Sequence, residues 1–285
     1  MEQLCREIRM PQEVTAQVLQ WHRRPDFSPD LSELTCEDTW QQGIEALRSR
    51  LAPDPGGIKM LCCMLRCALD AWPKYQQLGL SRQIYVDTMG CLSRFVCEHH
   101  ESYGIYGFDR DFWTVRQISC RLFRIGQLEY ELCADGRISL HIPTDVRLEL
   151  PLLKESYHQA RTVIDRVFPA YAGAEMFCCS WLLSPQLREL LPEQSRILAF
   201  QRSFSIAQVV APSQGVVQWV FKNPSLPAED YPEDTSLQRQ LKAYLLASFF
   251  NIRSESNIHT LKATVKQFFR NTFQARSIRV IQADI

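Results

Sequence analysis

Long apolar runs are missing from this chain of 285 residues, and none approaches the ~18 residues that a membrane span needs. The opening Met1-Glu2-Gln3-Leu4-Cys5 lacks a basic stretch followed by an apolar core, so no secretory signal is expected. Net charge is missing too. Lys plus Arg number 32 and Asp plus Glu number 32, which leaves no bulk attraction to nucleic acid or an anionic membrane. Glycine is scarce at 11 residues, and residues 143–172 contain none. No internal repeat or low-complexity tract is present. The 11 cysteines form no Cys-x-x-Cys pair, so neither a disulfide framework nor a thiolate metal site is expected, and the reducing cytoplasm is the expected compartment.

The remaining composition, 46% hydrophobic and 22% charged, is that of a globular protein with a substantial core. At roughly 100–200 residues per domain, the length implies two domains. Residues 1–121 read as helical. A first helix covers 2–21 with Pro11 interrupting it, and a second opens near Thr35-Cys36-Glu37-Asp38 and reaches Leu51. Residues 58–76 are apolar nearly all round, as a buried central helix requires. Another helix runs from Ser81 to His100. Asp109 is expected to cap the next one, with Phe108 and Trp113 as its hydrophobic staple.

From Leu122 to Ile142 the hydrophobic period changes to two. Leu128, Tyr130 and Leu132 alternate with Gln127, Glu129 and Glu131, and Ile138, Leu140 and Ile142 alternate with Ser139 and His141. A two-residue Asp135-Gly136 turn would mix the two faces. A three-residue Ala134-Asp135-Gly136 loop keeps them apart, with Gly136 supplying the left-handed residue. This register places His141 across from Glu129 on the polar face. Beyond the hairpin, Pro151 starts a helix to about Phe168, and Met176–Leu183 reads as a strand. Ser184-Pro185 would open a short helix, and 195–210 and 216–222 read as strands. Thr235 and Gln238 resemble a capping box for a final helix carrying Leu237, Leu241, Leu245 and Phe249.

Particular words then stand out: Tyr103-Gly104, Gly107-Phe108-Asp109-Arg110, Arg124-Ile125-Gly126-Gln127-Leu128-Glu129-Tyr130, His141-Ile142-Pro143 and Ser180-Trp181-Leu182-Leu183-Ser184-Pro185. With these the chain resembles a bacterial family of predicted acyltransferases that join a helical N-acyltransferase N-terminal domain to a GNAT-like C-terminal domain. The resemblance implies an α+β fold, in which a helical domain over 1–121 precedes a mixed, mostly antiparallel sheet flanked by helices over 122–246. Residues 247–285 form a basic amphipathic extension with a readable helix (Leu261, Val265, Phe268, Phe269) followed by Ile278-Arg279-Val280-Ile281.

What the resemblance implies in chemistry is transfer of an acyl group from acyl-CoA, acetyl-CoA foremost, to a small amine acceptor, with no metal. The pantetheine would pair with strand 137–142, and the pyrophosphate would lie at the N-terminus of the helix beginning at Pro151. The GNAT fold's usual pyrophosphate loop, Gln/Arg-x-x-Gly-x-Gly/Ala, has no counterpart here, since residues 143–172 contain no glycine. Ile142, Thr144 and Arg147 therefore become the candidate coenzyme-binding residues. His141 backed by Glu129 is the candidate base that takes the proton of the attacking amine. The competing reading of that pair is an ordinary cross-strand contact. Trp181 would line an acyl pocket, or else be a core tryptophan. Glu98-His99-His100-Glu101 reads as a helix end rather than a metal site, because adjacent helical positions diverge. Cys62-Cys63 with Cys67, and Cys178-Cys179, read as buried small hydrophobes. The Arg110, Arg116, Arg121 and Arg124 series is expected to be solvated or to pair with local carboxylates rather than grip a phosphate. A non-catalytic GNAT-like binding or regulatory module is the other reading of the missing glycines. Oligomeric state is left open by the sequence.

Overall fold

The computed structural model describes residues 1–183, 187–204, 220–222, 226–253 and 276–279. They fall into two compact units, the first comprising 1–138, 142–146 and 155–174, and the second comprising 139–141, 147–154 and 175–285.

The first unit is built on helices α1 (Glu2–Glu7), α2 (Gln12–His22), α3 (Trp40–Leu51), α4 (Ile58–Gln77), α5 (Arg82–Tyr103) and α6 (Asp111–Ile118). Pro11 separates α1 from α2, as its missing N–H dictates. Helix α4 is the centre: Met60, Leu61, Cys62, Cys63, Met64, Leu65, Cys67, Ala68, Ala71 and Tyr75 are all buried. Its start is fixed by Asp54, whose carboxylate accepts from the N–H groups of Lys59 (3.1 Å) and Met60 (3.0 Å). Gly57 precedes it in the left-handed region at φ 68°. Helix α5 opens on Ser81, whose Oγ accepts from Ile84 N, and closes on left-handed Gly104.

Helix α6 differs from expectation. It begins at Asp111 rather than behind an Asp109 cap. The Asp109 carboxylate pairs with Arg110 at 2.9 Å, whereas Asp111 accepts from its neighbour's N–H and from Arg48 at 2.7 and 2.6 Å. A local ion pair has taken the expected cap.

Strands β1 (Leu122–Ile125) and β2 (Leu128–Leu132) form an antiparallel hairpin that aligns Arg124 with Glu129. Gly126 turns the corner at φ 66°, against Ser156 of α7 (Leu150–Val167). Ser156 Oγ accepts from Leu128 N at 3.3 Å and lies 3.0 Å from the Tyr130 hydroxyl. Between β2 and β3 (Ile138–His141) lies the expected three-residue loop. The Cys133 N–H donates to Arg137 O at 3.0 Å, and Gly136 sits at φ 82°.

The second unit contains β4 (Met176–Ser180), α8 (Leu187–Leu190), α9 (Arg196–Arg202), α10 (Ser236–Arg253) and β5 (Arg276–Arg279). Strands β4 and β5 are antiparallel, with Cys178 aligned with Ile278. The expected strand to Leu183 stops at Ser180, because Trp181–Leu183 curl into a 3-10 turn. The expected strand from Ser195 is a helix at its start: Ser195 caps α9, its Oγ accepting from Ile197 N at 3.2 Å. Residues 205–219 of the two expected strands, and Ser184-Pro185, lie outside the described residues, as does the expected tail helix at 261–269.

A core of Leu187, Leu191, Leu198, Val220, Phe221, Tyr231, Leu241 and Leu245 holds this unit together. The capping box is present in full, with Thr235 N–H donating to Gln238 Oε1 (2.9 Å) and Gln238 N–H to Thr235 Oγ1 (3.1 Å). Thr235→Ala is expected to lose about 1 kcal/mol in urea unfolding. A loss within error of zero would mean that solvent satisfies α10 equally well.

Candidate functional site

The sequence assigns Glu129 to a polar strand face. In the structure that position is 2% exposed. The carboxylate is held by Arg94 of α5, whose Nη2 donates to Glu129 Oε1 at 2.7 Å. The Arg94 side chain is itself only 9% exposed. Burial opposes its charge, but Glu129 beside it more than compensates and raises the guanidinium above its ordinary range.

Two more carboxylates approach Arg94. Glu98, one turn along α5, lies 3.6 Å from Nε, and Asp145 lies 3.6 Å from Nη1. Arg124 donates to both oxygens of Asp145 at 2.9 and 2.8 Å. The Thr144 hydroxyl donates to Glu98 Oε1. Helix α5, β1, β2 and the 142–146 segment are thereby tied through one group of charges. A phosphate would have to displace Glu98 to take the single hydroxyl donor of Thr144.

His141 ends β3 and is half-buried, in the second unit. Ile142 follows it, outside the strand, in the first. Arg147 is exposed and donates to Glu149 at 3.1 and 3.2 Å. Glu149 accepts Leu153 N–H through its backbone carbonyl, which makes it the cap of α7, and its side chain also lies 3.5 Å from Arg196. Two guanidinium groups therefore stand by the first turn of α7, both engaged with one carboxylate. Pro151 contributes no N–H to that turn, so the donors it can offer an anion are those of Leu150 and Leu152. This charge balance would admit a pyrophosphate in exchange for Glu149.

Trp181 packs against the core of the second unit from the 3-10 turn after β4. The arginine series behaves as expected. Arg110 pairs with Asp109, Arg116 with Glu131 at 3.0 Å, Arg121 with Glu37 at 3.0 Å and Arg124 with Asp145. His99 Nδ1 lies 2.8 Å from Ile105 O, and His100 stacks on Tyr106. Among the described residues no group of His, Cys, Asp and Glu is arranged to hold a metal ion. Burial raises the Cys62 thiol to about 11 and Cys63 and Cys67 to about 12, so all three stay protonated near neutral pH. No described helix is long and apolar enough to cross a membrane.

Arg94 was not legible as a site residue. Its spacing from Glu98 is that of an ordinary exposed i,i+4 pair, and only the packing of α5 against β1 buries it. The nearest signal was indirect: a carboxylate on a strand that becomes buried needs a cation.

Comparison with known proteins gives three findings. Residues 1–120 match the family model of the N-acyltransferase N-terminal domain, and residues 122–250 match that of the GNAT-like C-terminal domain. Curated proteins give no match. Among solved structures, an acyltransferase mutant in complex with octanoyl-CoA is similar at 23% identity and a TM-score of 0.75, covering 98% of this chain and 86% of that one. An acyltransferase in complex with decanoyl-CoA and teicoplanin is similar at 22% identity and 0.71, covering 98% and 87%. A third, in complex with decanoyl-CoA, matches at 21% and 0.74, covering 98% and 86%. At these identities the likeness is one of fold.

Proposed function

The chain belongs to the acyltransferase family that joins an N-acyltransferase N-terminal domain to a GNAT-like C-terminal domain, and on that premise we propose that it transfers an acyl group from acyl-CoA to an amine. The observation that carries this reading is that both domain models match, in order, over 1–120 and 122–250. The division of labour we propose gives 1–121 a share of the acceptor pocket, 122–246 the donor site, and 247–285 the role of an extension.

The solved relatives bound to octanoyl- and decanoyl-CoA support a donor with a medium-length acyl chain ahead of acetyl-CoA. The relative bound to teicoplanin supports an acceptor larger than a small amine. Eleven free cysteines suit a reducing cytoplasm.

In the proposed reaction a neutral amine nitrogen bonds to the acyl carbonyl carbon as the carbon–sulfur bond breaks. His141 takes the proton the amine gives up and returns it to the departing sulfur. Glu129 orients His141 from the neighbouring strand position given by the hairpin register. Arg147 and the α7 N-terminus meet the pyrophosphate, while Ile142 offers its backbone to the pantetheine. Trp181 borders the acyl chain.

Acetyl-, octanoyl- and decanoyl-CoA should each be titrated by calorimetry and thermal shift. Saturable binding is expected, tightest for the longer chains, with about 2.7 kcal/mol of stabilisation at a hundredfold excess over Kd. Silence with all three would refute acyl transfer and favour the non-catalytic module.

A further inference from the structure

We propose that Arg94 is a positioning residue for the acyl transfer, holding Glu129 and the 142–146 segment in a single arrangement. The proposal rests on the function read above and adds to it a residue on α5, outside the sheet that carries the candidate base.

Its first support is burial. A guanidinium 9% exposed is costly to desolvate, and a pair of apolar side chains would serve stability as well or better. A second support is reach, because one side chain faces Glu129 on β2, Glu98 on its own helix and Asp145 in the segment after β3. That segment has two further ties, Thr144 to Glu98 and Asp145 to Arg124. The chain leaving β3 is thus anchored to α5 and β1 close behind His141.

The third support is incomplete hydrogen bonding. Nε and Nη1 of Arg94 are buried and donate to nothing among the described residues. Asp145 and Glu98 stand 3.6 Å away, about 0.7 Å beyond an optimal N–H···O distance. A small inward movement of the 142–146 segment would complete the bond from Nη1 to Asp145, and a rotamer adjustment of Glu98 within α5 the bond from Nε. Lysine could not take this place, since its single ammonium lacks the planar fork that addresses several carboxylates from fixed directions.

The test is steady-state turnover of octanoyl-CoA, read as free thiol, with benzylamine and teicoplanin as acceptor probes and full-length protein throughout. Arg94→Lys keeps the charge and loses the fork. It is expected to fold, to lose tenfold or more in kcat and to show a severalfold higher KM for octanoyl-CoA, because misplacement of about 1 Å near the chemistry costs up to 10²-fold. Should Arg94→Lys fail to fold, the double variant Arg94→Met with Glu129→Gln removes both buried charges together. It is expected to fold with kcat at least as depressed. Wild-type kcat and KM in either folded variant, whatever the loss in Tm, would overturn the proposal and leave Arg94 a structural residue. No thiol release from the wild-type protein itself would overturn the transferase reading, and the positioning role with it.

Discussion

His141→Ala is expected to lower kcat by roughly 10²–10⁴-fold while the Kd for acyl-CoA changes by less than about threefold. The size follows from the reaction. An amine that attacks a thioester must shed a proton, and a base in reach contributes in that range. Three of the other described histidines are engaged locally, and the fourth, His158, is exposed on α7. His99 bonds to a loop carbonyl, His100 stacks on Tyr106, and burial lowers the His22 imidazole below its ordinary value, with Arg66 adding to the effect. His141 instead stands half-buried at the end of β3, and an imidazole is the side chain suited to proton transfer near neutral pH. Measured kcat in His141→Ala equal to wild type would dismiss it as the base without touching donor binding.

The second large effect concerns the fold. Gly57→Ala should cost about 2–5 kcal/mol in urea unfolding. A Cβ at this position would stand 1.9 Å from the Phe108 carbonyl oxygen, in a residue already at φ +68°. The left-handed conformation alone costs a non-glycine residue about 1–2 kcal/mol, and forcing packed backbone apart adds roughly 1–3. Phe108 cannot retreat freely, because its N–H donates to Gly56 O at 2.9 Å. Gly79→Ala is the matched control. It shares the conformation, φ +70°, and has nothing within 4 Å of the added carbon, so only the conformational cost of about 1–2 kcal/mol should appear. Equal losses at the two positions would show that the 57–108 contact yields without penalty.

Much of this fold could be read from local pattern. Helix α4 announced itself through residues apolar on every side, the β2–β3 loop through Gly136, and the start of α10 through the spacing of Thr235 and Gln238. Each of these signals is settled within a few residues of chain. Failures came where two local readings compete, and where a distant partner decides. The run Ile197-Leu198-Ala199-Phe200 fits strand or buried helix equally by periodicity, and the Ser195 cap favours helix. Asp109 had the right chemistry for a cap and spent it on Arg110. At the candidate site, Glu129 could be picked out as a carboxylate on a strand. Its burial and its partner depend on α5, 35 residues earlier in the chain, and no spacing rule reaches that far.

The alignment of β5 with β4 brings residues 276–279 back to a strand a hundred positions earlier. A chain lacking those four residues would leave one row of β4 peptide groups open to solvent. An open row of that kind is a template on which a second molecule can add a strand, so shortening the extension invites self-association and aggregation rather than a simple loss of length.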